Sequence, residues 1–183
     1  MGDQMVLVDV FDRQVGTAEK LECHKLGLLH RAFSLFLVDS KGRILLQKRA
    51  LGKYHSGGLW TNTCCSHPRE GEDVRQAAAR RVNREMGISG IRASDLREIG
   101  SFVYRHDFRP EGGTVIEFEL DHVLLGFWEG ECSPNPEEVS QTAWVSQDEL
   151  ARLLTVEPER FTTWLFTAAP MALRELRKER DAQ

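Results

Sequence analysis

Two carboxylates and three imidazoles are the residues in this chain whose chemistry is easiest to specify. Glu117 and Glu119 flank Phe118 inside the apolar run Val115–Phe127. Side chains two apart on a strand share a face, so both acids would point the same way, roughly 6–7 Å apart along the chain. Ile116, Phe118 and Leu120 would then turn toward a core. A lone Glu-x-Glu pair is most often a solvated strand face, and the spacing leaves that reading open. His24, His30 and His67 are half of the chain's 6 histidines. Each alone is ordinary. Three imidazoles with two carboxylates, however, make a donor set suited to a divalent transition ion such as Mn²⁺ or Zn²⁺.

A thiol stands two residues from His67, in the run Trp60-Thr61-Asn62-Thr63-Cys64-Cys65-Ser66-His67-Pro68. Adjacent cysteines disfavour a disulfide with each other, and on a strand Cys64 and Cys65 would point to opposite faces. A thiol titrates at about pH 8.5 unless perturbed, and cationic neighbours bring it toward neutrality. Cys65, two residues from His67, is the candidate for proton transfer, and adjacent Cys64 is its rival. Cys23 and Cys132 read as packing.

The residues after His67 form a frame with parts missing. From Ser66 through Glu72, Arg80, Val82, Glu85, Gly87 and Ile88 the spacing resembles a Nudix box, Gly-x5-Glu-x7-Arg-Glu-apolar-x-Glu-Glu-x-Gly-apolar. Ser66 replaces the opening glycine, which would reshape a turn there if that turn needs positive φ. Arg81 and Arg84 replace two acids. A Nudix hydrolase gathers metals on those helical carboxylates to cleave a diphosphate, and most of that cluster is gone.

Over residues 6–172 the chain resembles the type 1 isopentenyl-diphosphate isomerases, Nudix-fold proteins that do not hydrolyse diphosphates. The resemblance is carried by Lys20-x3-His24, His30-Arg31-Ala32-Phe33, Gln47-Lys48-Arg49-Ala50-Leu51, the Trp60 to Pro68 run, Tyr104-Arg105, Glu117-Phe118-Glu119 and Phe161-Thr162-Thr163-Trp164. It implies an α+β Nudix fold, a mixed sheet flanked by helices. It also implies that His24, His30, His67, Glu117 and Glu119 bind one metal (Mn²⁺, Zn²⁺ or Mg²⁺), and that Glu85 helps hold a Mg²⁺ bridging the substrate diphosphate. Cys65 and Glu119 would move the protons, with Tyr104 beside Glu119. Lys20, Arg49, Lys53 and Arg81 would contact the diphosphate, and Trp164 would face a carbocation. The implied reaction converts isopentenyl diphosphate to dimethylallyl diphosphate. A hydrolase with an atypical box would need acids where Arg81 and Arg84 stand. A binding module without turnover would have no use for both Cys65 and Glu119.

These residues need elements to hold them. Apolar runs at 5–11, 33–38, 43–48, Val115–Phe127 and 143–145 predict strands, and Asp39-Ser40-Lys41-Gly42 predicts a hairpin turn between the second and third. Val74, Ala78, Val82 and Met86 recur every four residues, predicting a helix opened by Glu72 and Asp73 and closed by Gly87. Helices are also expected over 147–154 and over 157–178, the latter kinked at Pro170. The charged segment 174–183 reads as a solvated end.

The 183 residues suit one domain, 1–183, with a substantial core. A net charge of −4 gives no case for nucleic-acid or membrane partners, and no apolar run spans a bilayer. The start Met1-Gly2-Asp3-Gln4 lacks signal-peptide character. A cytoplasmic, monomeric thiol protein acting on a small isoprenoid diphosphate is the resulting expectation.

Overall fold

A computed structural model describes residues 4–109 and 114–182. Its strands are β1 (Gln4–Val8), β2 (Gln14–Glu19), β3 (His30–Val38), β4 (Ile44–Arg49), β5 (Trp60–Thr61), β6 (Cys64–Ser66), β7 (Leu96–Phe108), β8 (Val115–Phe127) and β9 (Val139–Val145). Its helices are α1 (Lys20–Leu26), α2 (Val74–Met86), α3 (Gln147–Val156) and α4 (Leu165–Asp181).

Strand β3 organises the sheet. One of its edges pairs in parallel with β8 from His30↔Glu119 to Val38↔Phe127. Three short partners share the other edge: β1 at His30, β6 at Phe33 to Leu35, and β4 at Val38. Strand β7 pairs antiparallel with β8, and β9 with β4. The sheet is mixed, as expected.

Alternation along β3 divides two cores. Phe33, Leu35 and Leu37 face α2, packing with Leu45, Cys64 and Leu124 against Val74, Ala78, Val82 and Met86. Phe36 and Val38 face the other way, joining Val123 and Leu125 against Leu165, Ala168, Ala169 and Ala172 of α4. Each fully buried aliphatic side chain contributes roughly 1.5–3 kcal/mol. The four-residue period read for α2 is its buried stripe. Asp73 is its N-cap, with a capping box to Gln76. Gly87 ends it at φ 65°, where a Cβ would also lie 2.3 Å from the Ser133 carbonyl oxygen.

Several expectations change. The strand read over 5–11 stops at Val8, because the Asp9 carboxylate accepts the Phe11 and Arg13 amides and turns the chain. The hairpin turn at Asp39 forms, but its strands pair only at Val38↔Ile44 before parting to β8 and β9. The break expected at Pro170 falls earlier. Pro158–Arg160 is a separate 3₁₀ turn, Phe161 bridges to Trp60, and α4 then runs through Pro170. Ser66 sits in extended β6 and has no positive φ, so serine costs nothing there. Among the described residues, no helix is long and apolar enough to cross a membrane.

Candidate active site

The face of the sheet under α4 changes character along its length. On β8 the inward series runs Glu117, Glu119, Asp121, Val123, Leu125, and on β3 it runs His30, Ala32, Ser34, Phe36, Val38. The apolar ends lie beneath α4, and the β8 acids Glu117, Glu119 and Asp121 line a partly open cavity of about 480 Å³ counted out to its mouth.

Glu119 is held from both sides by register. His30 opposes it on β3 and Tyr104 opposes it on β7. His67 Nε2 lies 2.8 Å from Glu119 Oε1, His30 Nε2 lies 3.5 Å from it, and the Tyr104 hydroxyl hydrogen-bonds the same carboxylate. Burial alone would raise the Glu119 carboxyl, but hydrogen bonds with His30, Glu117 and Tyr104 bring it down to about 2. Beside it, burial and the Glu119 charge push Asp121 well above the carboxylate range. Ser34 Oγ donates to Asp121 Oδ2 at 2.8 Å.

Helix α1 supplies His24. Glu19 caps its start by accepting the Leu21 and Glu22 amides, and Gly27 ends it in the left-handed region. His24, His30, His67, Glu117 and Glu119 bring one ligand atom each to within 4.8 Å of one another. A single ion with donor distances of about 2.0–2.2 Å suits such a span after slight closure. Two atoms in the group are buried without an aligned hydrogen bond, His24 Nε2 and Glu117 Oε1. They are 3.7 Å apart. Burial holds the His24 imidazole down at about 3 and, with His30 and Lys20 adding to it, His67 well below its usual value. Burial opposes a charge on His30 too, but Cys23 and Glu119 raise it. Its Nδ1 lies 2.8 Å from the Leu28 carbonyl oxygen and 3.2 Å from Cys23 Sγ. Cys23 therefore does more than pack: it touches the back of a candidate ligand. The donor set fits a divalent ion.

Cys65 and Cys64 do face opposite ways. Cys64 lies in the α2 core with its thiol 3.5 Å from Glu85 Oε2, while Cys65 lines the cavity. The expected drop in the Cys65 pKa is not seen. Burial pushes the thiol up to about 12, Glu85, Glu119 and Asp121 push the same way, and only Arg49 opposes them. Cys65 is held as the protonated thiol.

Lys20, Arg49, Lys53 and Arg81 also line the cavity. Arg49 is the last residue of β4, where the β4–β9 pairing shifts register. Its guanidinium carbon sits 5.4 Å from the Trp164 ring centroid, so that indole already presents its face to a cation. Trp164 Nε1 donates to Asn62 Oδ1 at 3.1 Å, and Thr162 Oγ1 donates to Thr61 Oγ1 at 2.9 Å. The two Trp-Thr-rich motifs of the sequence thus dock on each other and aim Trp164 inward. Lys53 pairs with Glu138, and Arg81 with Glu85 and, at 3.8 Å, Glu138.

Among the expected site residues His24, His30 and Glu85 do not line the cavity wall; the two histidines stand in the ligand group, but Glu85 stands apart. It is buried on the α2 side, where Arg81 and Gln47 donate to its carboxylate. Tyr54, His55, Asp121 and Glu138 belong to the site and sequence reasoning missed them. The alternation that pairs Glu117 with Glu119 reaches Asp121, a signal that would have found it.

A NUDIX domain model matches residues 28–165, and the chain belongs to this family of α+β proteins. The solved structure of DR0079 from Deinococcus radiodurans shares the fold, with a TM-score of 0.69 at 18% identity over 96% of this chain and 98% of that one. Within the family its relatives are specific. It is 44% identical to the isopentenyl-diphosphate Delta-isomerase of Serratia proteamaculans, over 91% of this chain and 89% of that protein. It is 46% identical to that of Photobacterium profundum, over 95% and 96%. The chain belongs to the isopentenyl-diphosphate Delta-isomerases.

Proposed function

We propose that this enzyme converts isopentenyl diphosphate to dimethylallyl diphosphate through a tertiary carbocation, with Cys65 and Glu119 as its proton-transfer pair. The observation that carries this reading is their placement on β6 and β8, which pair with opposite edges of β3, facing one cavity. Cys65 lies opposite Ser34 and Glu119 opposite His30, so the two groups are offset by four residues along β3 as well as by its width, and they flank the cavity rather than touch.

The reaction adds a proton to the terminal alkene carbon, leaving a cation at the tertiary carbon. Loss of a proton from the allylic methylene then returns its electron pair to form the new double bond. One group must carry a proton and another must be free to accept one, and Cys65 as thiol and Glu119 as carboxylate meet that need. The Trp164 face stabilises the cation, by about 2 kcal/mol or more once water is excluded. Tyr104 holds Glu119 in line.

Lys20, Arg49, Lys53 and Arg81 grip the diphosphate. A divalent ion (Mn²⁺, Zn²⁺ or Mg²⁺) on the five His and Glu ligands would supply fixed positive charge beside Glu119, and a Mg²⁺ near Glu85 would neutralise the diphosphate. Glu85 would hold that ion with its single carboxylate, which Arg81 and Gln47 now contact, and the ion would offset the diphosphate charge. We read the protein as a cytoplasmic monomer that takes neither nucleic acid nor membrane as partner.

Purified protein given isopentenyl diphosphate and Mg²⁺ should accumulate dimethylallyl diphosphate by NMR, and chelation should stop it. Release of phosphate or pyrophosphate instead would restore the hydrolase reading.

A further inference from the structure

The segment joining β4 to β5 carries two consecutive side chains onto two members of the ligand group. Tyr54 Oη lies 3.2 Å from His24 Nδ1, and the two rings stack with centroids 5.7 Å apart. His55 Nε2 lies 2.8 Å from Glu117 Oε1, and His55 is only 9% exposed. The turn that follows is tightly constrained. Ser56 takes φ 52° without being glycine, and a Cβ at Gly57 would sit 2.6 Å from the Leu51 carbonyl oxygen. The inward position of His55 is fixed from its other sides as well. Its carbonyl accepts from Arg49 Nη2 at 3.3 Å, and its ring packs against Phe108 at 4.7 Å and edge-on to Trp164 at 6.0 Å.

We infer that Tyr54 and His55 are positioning residues for the metal centre, each orienting one ligand of the same ion. For His24 to present Nε2, its proton must reside on Nδ1, and the Tyr54 oxygen is the acceptor placed to hold it there. His55 Nε2 lies against Glu117 Oε1, the oxygen that also stands 3.7 Å from His24 Nε2. Outer partners of this kind alter metal affinity by about 10–100-fold when removed. The inference rests on the metal reading above and goes beyond it, because it assigns the affinity of the centre to a segment that supplies no ligand.

The test is Mn²⁺ affinity of the metal-stripped full-length protein, read from the electron paramagnetic resonance of free Mn²⁺. Tyr54→Phe and His55→Ala should each weaken binding by about 10–100-fold. His55→Gln should recover part of the loss, because its amide nitrogen reaches where Nε2 stood. Leu51→Ala, an exposed change in the same segment, should bind as wild type. Thermal melting of the metal-stripped variants separates this from misfolding, and Tyr54→Phe is conservative enough to remain folded. Wild-type affinity in both Tyr54→Phe and His55→Ala would overturn the inference while leaving the isomerase reading intact. Absence of Mn²⁺ binding by the wild type would overturn the metal centre and this inference together.

Discussion

The two faces of the sheet hold the same kinds of residues in opposite states. Beneath α2, Cys64 and Glu85 are buried among apolar side chains, and the Arg81 guanidinium answers the Glu85 charge. Beneath the open end of α4, Cys65 and Glu119 face a cavity, and Glu119 meets imidazoles and a phenol. In a Nudix hydrolase the helical acids of the α2 side would do the metal chemistry. Here the box keeps its role as scaffold, seen in Asp73, Gly87 and the Glu72–Arg80 pair. The groups proposed to move protons lie across the sheet. The fold is a platform, and the chemistry follows whichever face stays uncovered.

Paired substitutions across the sheet should break this symmetry if the account is wrong. Glu119→Gln should lower turnover by about 10²–10⁴-fold, the range for losing a general acid or base. Glu85→Gln should instead shift the Mg²⁺ dependence, visible as a higher Mg²⁺ concentration at half-maximal rate. Equal losses of turnover at saturating Mg²⁺ would erase the distinction. Arg81→Ala comes next in size. Loss of one charge-assisted contact of about 1.5–3 kcal/mol should raise KM for isopentenyl diphosphate roughly 10–100-fold in steady-state assays.

The smallest effect concerns scaffold alone. Burial would raise the Glu72 carboxyl, but the two Arg80 hydrogen bonds at 2.7 Å outweigh it and hold the pKa below 4.5. A depressed carboxyl contributes stability that is fully present above its unfolded value and is lost as pH falls through its folded one. Glu72→Gln should therefore flatten the acid limb of a denaturation curve below about pH 4.5 and cost about 1 kcal/mol at neutral pH, with turnover unchanged.

How much of this was legible depended on whether a signal was local. The α2 helix could be read whole, because its stripe, cap and terminal glycine lie within sixteen residues. The β8 acids could be read from alternation. Strand β7 could not, since its half-exposed pattern has little apolar contrast, and α1 is only seven residues long. The Cys65 environment was read with the wrong sign. The expected cationic neighbour exists in Arg49, which lowers the thiol, but burial is a tertiary property and it wins. Tyr54 and His55 precede Gly57-Gly58, a sharp-turn signal, yet their targets His24 and Glu117 lie 30 and 62 residues away in sequence. Residue types and the family resemblance named the candidate ligand set, and only the fold showed that Tyr54 and His55 lie against it.

The most direct test separates the adjacent cysteines. Wild type, Cys65→Ala and Cys64→Ala would each be given isopentenyl diphosphate with Mg²⁺ in D₂O and followed by NMR. The account predicts deuterated dimethylallyl diphosphate from wild type and from Cys64→Ala, with Cys64→Ala less stable but active, and none from folded Cys65→Ala. Deuterated product from Cys65→Ala at a near-normal rate would contradict it and remove that thiol from the mechanism.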